Sequence, residues 1–247
     1  MGKSVPISWR SGPSQTLSLS LQVDRSSVLP ADLGNTWHAV ISKYASLGSV
    51  GGFSGGSHNP ALSVITIIDE EMSSSLLACQ FQVANVSVFA ARALANVVEF
   101  FHTRVIPLDQ AVITGPAELL RVDSATADGI YRPLPFVFSD ERELFTTGFD
   151  ISVKLRNPQP DDVLYQIEDA YGHWFSAVNI GCFASSTYLP GDCLMYPGDE
   201  TYTEEDLIVL SVEKALFSEP EGMDSLVNVF QWVHRRLAEI EDVCISE

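Results

Sequence analysis

Residues Ala93–Ile113, ALANVVEFFHTRVIPLDQAVI, return near the end of the chain as Ser225–Ile245, SLVNVFQWVHRRLAEIEDVCI. Laid over each other without a gap, the two stretches share Leu94/Leu226, Asn96/Asn228, Val97/Val229, His102/His234, Arg104/Arg236 and Ile113/Ile245. In the second copy Leu226, Val229, Phe230, Val233, Leu237 and Ile240 fall at helical spacing on one face. The residues 132 positions earlier are Leu94, Val97, Val98, Phe101, Val105 and Leu108, all apolar. Any two amphipathic helices would agree in that respect. The shared Asn, His and Arg are not required by the helical pattern, and they point to an internal duplication. Pro107 is expected to end the first helix near Val105, because an interior proline loses a hydrogen bond and clashes. Glu239 stands at that place in the second copy, so the second helix is expected to run longer.

Working outward, other elements repeat in parallel order. Leu17–Val23 (LSLSLQV) alternates like a strand, and Ile151–Arg156 (ISVKLR) occupies the matching place. Helices are expected next, over Asp32–Leu47 and Asp161–Trp174, each preceded by a proline and opening on acidic residues that suit a helix N-terminus. Strands are expected at Ser63–Ile68 and Leu77–Val83, then at Ala177–Phe183, Cys193–Tyr196 and Leu207–Val212. Ser218-Glu-Pro-Glu221 fits a capping box for the last helix. Each half thus reads strand, helix, two or three strands, helix. That order predicts an α+β fold, with helices on one face of a mostly antiparallel sheet. The halves span 1–113 and 149–247. The stretch 114–148 is read as a connection without a counterpart, contributing a strand around Leu134–Phe138. Whether the halves share a sheet or pack helix to helix is open at this level.

Charge separates the halves more sharply than hydrophobicity does. The 247 residues carry a net charge of −18. Residues 1–124 hold 7 Lys and Arg against 9 Asp and Glu, a net −2; residues 125–247 hold 7 against 23, a net −16. Such a field repels nucleic acid and anionic membranes and attracts a basic protein. The opening MGKSVPISWRSGPSQ has no apolar signal core, and Pro6 stands where a myristoylation signal has Ser or Thr. No apolar run approaches the roughly 20 residues needed to span a bilayer. A cytoplasmic location is the expectation. Cys79, Cys182, Cys193 and Cys244 form no CxxC pair and read as buried thiols, with Cys182 and Cys193 able to meet across a hairpin.

Motifs for chemistry are sparse. Gly52-Phe-Ser54-Gly-Gly56 matches the letters of a nucleophile elbow, but that device needs a strand before the serine and a helix after it. Here a helical segment precedes, and Pro60 with a strand follows. A hydrolase built on Ser54 would also need a histidine within hydrogen-bond reach. His102, His173 and His234 each fall near the end of an expected helix, where a cation or donor suits the helix dipole. His173, Cys182 and Cys193 would lack a fourth zinc ligand. No metal or other cofactor is expected. The acidic stretch Gly198–Asp206 does not follow the EF-hand order of ligands. It reads instead as a contact surface for a basic partner, formed by Asp199, Glu200, Tyr202, Glu204, Glu205 and Asp206. Tyr196 beside it is an apolar anchor, and Asp161 and Asp162 extend the charge.

In size, charge, leader-free start and duplicated α+β layout the chain resembles the immunity proteins of bacterial polymorphic-toxin and type VI secretion systems. That resemblance implies a non-catalytic cytoplasmic protein that covers the active site of a cognate toxin. Two readings from other classes stand beside it: the hydrolase around Ser54, and an assembly subunit that pairs through the repeated helices, for instance as a homodimer.

Overall fold

In TLSLSLQV the residues that go inside are Leu17, Leu19, Leu21 and Val23, every second one, while serine, threonine and glutamine take the other face. The same alternation organises two sheets in the computed structural model, which describes residues 4–121, 129–142, 148–185, 188–198, 202–204, 206–217 and 219–247. The first half runs β1 (Ile7–Ser11), β2 (Thr16–Val23), α1 (Leu33–Ser49), a 3₁₀ turn (Pro60–Leu62), β3 (Val64–Met72), β4 (Leu76–Ala84), α2 (Val88–Arg104) and β5 (Leu108–Gly115). The second runs β6 (Val137–Asp140), β7 (Phe149–Leu155), α3 (Asp161–Asn179), a 3₁₀ turn (Pro190–Asp192), β8 (Leu194–Pro197), β9 (Tyr202–Glu204), β10 (Leu207–Leu216), α4 (Glu219–Arg236) and β11 (Ile240–Ser246).

Strand order confirms the duplication. The sheets read β1-β5-β2-β4-β3 and β6-β11-β7-β10-β8, with β9 also paired to β10. Only the outermost pairs, β1 with β5 and β6 with β11, are parallel. Without β1, the first half has the β-α-β-β-α-β order of the split β-α-β motif. The protein is α+β with mostly antiparallel sheets, as the sequence predicts. The two sheets stay separate: α1 packs on β3 and β4 and also on α3, while α3 packs on α4 and β8. The halves therefore meet helix to helix, with a sheet on each outer side.

Three expectations change. A strand, not a helix, closes each half. Residues 177–179 end α3 instead of opening a strand. The connecting stretch contributes β6, as expected near Phe138, but β6 belongs to the second sheet and is the counterpart of β1, which alternation in ISWRS did not reveal. The expected capping box begins at Ser218, outside the described residues.

Shared polar residues of the repeat have distinct tasks, each performed twice. Asn96 donates to the carbonyls of Cys182 (3.0 Å) and Ala184 (3.4 Å), and Asn228 donates to the carbonyl of Ser54 (3.2 Å). Arg104 Nε donates to Gly191 O at 2.7 Å, and Arg236 Nε to Ala61 O at 3.0 Å. Each helix thus clamps turns of the opposite half at equivalent positions. Tyr44 and Trp174 are equivalent too: the Tyr44 hydroxyl donates to Ala90 O (2.9 Å) and the Trp174 indole N–H to Gly222 O (2.8 Å), joining the two helices within each half.

The two histidines work locally. His102 Nδ1 accepts the Leu108 N–H at 2.9 Å, and His234 Nδ1 accepts the Ile240 N–H at 3.0 Å. Each pulls the chain out of its helix into the closing strand. This is why α4 stops at Arg236 just as α2 stops at Arg104, although no proline enforces it. An accepting Nδ1 also corrects the expectation of a cation on the helix dipole. His173 lies inside α3, not at its end.

Burial, the largest cause, holds the pKa of His234 below the ordinary histidine value, and burial lowers that of His173. The unfolded chain protonates near pH 6.5 while the folded imidazoles resist. The stability they contribute is therefore complete above that value and falls as pH drops below it. Denaturant unfolding of wild type from pH 7.5 to 5.5 is expected to show this fall. His234→Asn, whose Oδ1 replaces the accepting Nδ1, is expected to show a smaller one; equal slopes would remove the assignment.

Candidate functional site

β8 and β9 both pair with β10 at one edge of the second sheet. In the first half β3 pairs with β4 over its length, from Val64 opposite Ala84 to Met72 opposite Leu77. In the second half two described segments pair along the same edge. β8 pairs with the end of β10, from Leu194 opposite Leu216 to Pro197 opposite Val212. β9 pairs with its start, from Tyr202 opposite Val209 to Glu204 opposite Leu207. Irregularity and charge at an edge discourage pairing with another strand, and β3 shows both in its register shift near Ile67 and in Asp69, Glu70 and Glu71.

Register places the side chains. Ile208, Leu210 and Val212 of β10 face the helices, so the partners of the residues between them face outward. Tyr202 and Glu204 on β9 and Tyr196 on β8 share that outer face. Both tyrosines are 49% exposed. Val209, between them and β7, is 7% exposed yet lies outside the main core, which makes this face partly apolar. Thr203 points the other way, its hydroxyl donating to Glu168 on α3 at 3.3 Å. Asp161 and Asp162 are exposed in the first turn of α3, in the helix layer. They therefore do not join Tyr196, Tyr202 and Glu204 on one face, as the sequence reading had placed them. The main chain of Asp206 anchors the start of β10, its carbonyl accepting the Leu155 N–H at 2.7 Å. Asp199, Glu200 and Glu205 lie outside the described residues.

Sequence reading missed Asp150 and Asp242, which join this face from β7 and β11; single carboxylates in alternating strands carry no motif. Asp150 pairs with Ser211 and Ser246, and Asp242 with Lys154. Lys154 is raised above its usual pKa chiefly by its hydrogen bond and charge contact with Glu241, with Asp206 and Asp242 adding to it. The outer face of the first sheet carries Ser18, Ser20, Gln22, Gln80 and Gln82 on β2 and β4, with Arg10 on β1 and Asp69 and Glu71 on β3.

Ser54 has a structural task. It sits in the turn after α1, 3% exposed, and its hydroxyl donates to Asn85 O at 3.1 Å. His58 Nδ1 contacts the Gly55 carbonyl (3.2 Å). Between the halves, Ser54, Ser87, Asp224, Ser225 and Asn228 line a cavity of about 10 Å³, at the threshold for admitting a single water. Asp224 is raised above the usual carboxylate pKa by burial first and by the charge of Glu221 second. The four cysteines are free thiols, and burial pushes the Cys193 thiol up to about 12, which removes it as a nucleophile at neutral pH.

Among the described residues, no group of three or more His, Cys, Asp and Glu side chains is placed to hold a metal ion, and no helix is long and apolar enough to cross a membrane. No protein-family profile and no curated protein matches the sequence. Among solved structures, a protease from Helicobacter pylori is similar at 9% identity and a TM-score of 0.22, with 87% of this chain and 75% of that one covered. Pitrilysin follows at 10% and 0.21, covering 91% of this chain and 37% of that one. A conserved protein from Enterococcus faecalis V583 gives 9% and 0.18, covering 99% and 97%. Likeness at these TM-scores assigns neither fold nor activity.

Proposed function

We propose that this protein is a non-catalytic binding protein whose second half docks a basic protein partner, as an immunity protein covers its toxin. One observation carries the reading: β8 and β9 present Tyr196, Tyr202 and Glu204 on a single face of the half that holds a net −16. Carboxylates would steer the encounter, and the half-exposed tyrosines would supply apolar contact area with a hydroxyl to spend. In a nuclease partner the carboxylates would stand where substrate phosphates bind.

The partner is to be captured from the native cell at low salt, identified, and then measured as a purified protein. Glu204→Lys with Asp206→Lys is expected to slow association by about tenfold at low salt, with little change at high salt. Tyr202→Ala is expected to speed dissociation instead. An association rate that ignores both charge reversals would overturn the reading, as would a captured protein whose activity is untouched by saturating binding.

A further inference from the structure

The joint between the halves repeats itself about an approximate two-fold axis. Asn96 and Asn228 are 132 residues apart, and their acceptors Ala184 and Ser54 are 130 apart. Arg104 and Arg236 repeat in the same way, with Gly191 and Ala61 as acceptors. α1 meets α3, its own equivalent, across the joint. This is the pattern of an isologous contact between identical subunits, in which each surface is complementary to itself.

Two further features matter. Asn96, Asn228, Arg104 and Arg236 each donate across the joint to a main-chain carbonyl, whose chemistry is independent of which half supplies the turn. Neither sheet borrows a strand from the other half, so separation breaks no ladder. Two cross-half contacts are not self-complementary: Arg104 also pairs with the Asp192 carboxylate at 3.4 Å, where the first half has Leu62, and Arg92 of α2 approaches Glu221 of α4 at 3.8 Å. The first-half equivalent of Glu221 is Phe89, and the Arg92 guanidinium already lies 5.7 Å from its own Phe89 ring centre. An aromatic face can replace the carboxylate there.

We propose that the first half carries a self-complementary docking surface whose partner is a second copy of itself, and that the second half occupies that surface in the intact chain. In a pair of first halves, Asn96 would reach the Ser54 carbonyl of the other copy and Arg104 its Ala61 carbonyl. Pairing of two second halves is opposed by net charges of −16 on each, whereas first halves carry −2 each.

The test uses the full chain with a protease site placed between Ser124 and Ala125. After cleavage, native mass spectrometry and sedimentation are expected to find the two fragments held one to one at micromolar concentration. Asn228→Ala is expected to weaken that association by about tenfold or more. When first-half fragment released from the cleaved protein is supplied in excess, folded pairs of first halves are expected, and pairs of second halves are not. Fragments that separate on cleavage would overturn the proposal. So would a first half that stays monomeric or unfolded, or second halves that pair equally well.

Discussion

Asn228→Ala is expected to lower unfolding stability by about 4 kcal/mol, most of it from groups left buried without partners. Asn228 is 1% exposed and sits where three segments meet. Its amide donates to Ser54 O (3.2 Å) and Gly129 O (3.3 Å), and its Oδ1 accepts the Tyr131 N–H (3.0 Å) and a Gln231 N–H (3.2 Å). Truncation orphans two carbonyls and an amide N–H, each costing on the order of 1–3 kcal/mol when shut away from water. The equivalent Asn96 is less buried and has two acceptors, so Asn96→Ala is expected to cost about half as much. Urea unfolding at neutral pH measures both. Equal costs would mean that the segment around Tyr131 gains nothing from α4.

Gly51→Ala and Gly181→Ala are each expected to cost about 3 kcal/mol, and for the same reason. Both glycines follow the first helix of their half with φ of +83° and +77°, a conformation in which a side chain crowds the following carbonyl. An added Cβ would also lie 2.7 Å from Pro60 Cβ in one case and 2.7 Å from Pro190 O in the other. Backbone strain and overlap therefore add. Gly172 is the control: it lies within α3 with nothing within 4 Å of an added Cβ. Gly172→Ala should raise stability by about 0.5–1 kcal/mol through lower unfolded-state entropy. Thermal unfolding of the three variants decides the matter. A mild effect at Gly51 and Gly181 would show that the turns relax at little cost, and that the paired prolines do not fix them.

Both expectations start from residues whose importance the repeat announces but does not explain. Asn96, His102, Arg104 and their counterparts were visible as identities, because nothing in an amphipathic helix demands them. What each does was invisible, because Asn and Arg act on carbonyls of the opposite half, 80 or more positions away in the chain. The histidine task was closer to hand, six residues ahead, yet helix-end statistics suggested a cation and the geometry uses an acceptor. β5 and β11 were hidden for a related reason: each follows its helix after so short a turn that apolar residues of the strand read as helical periodicity. β1 escaped because a short outermost strand buries little and alternates weakly.

The candidate surface divides along similar lines. Composition located the charge in the second half, and the tyrosines near it were legible. Only strand register decided that Tyr196, Tyr202 and Glu204 face one way, Thr203 the other, and Asp161 with Asp162 into a different layer.

By itself the sequence determined what depends on neighbours along the chain: alternating strands, amphipathic helices, the duplication and the lopsided charge. Tertiary structure decided what depends on distant partners: that the halves meet through their helices and keep separate sheets, that the shared polar residues cross the joint, and that Ser54 is a buried turn residue. Local periodicity records which face of an element is apolar. It does not record which other apolar face covers it.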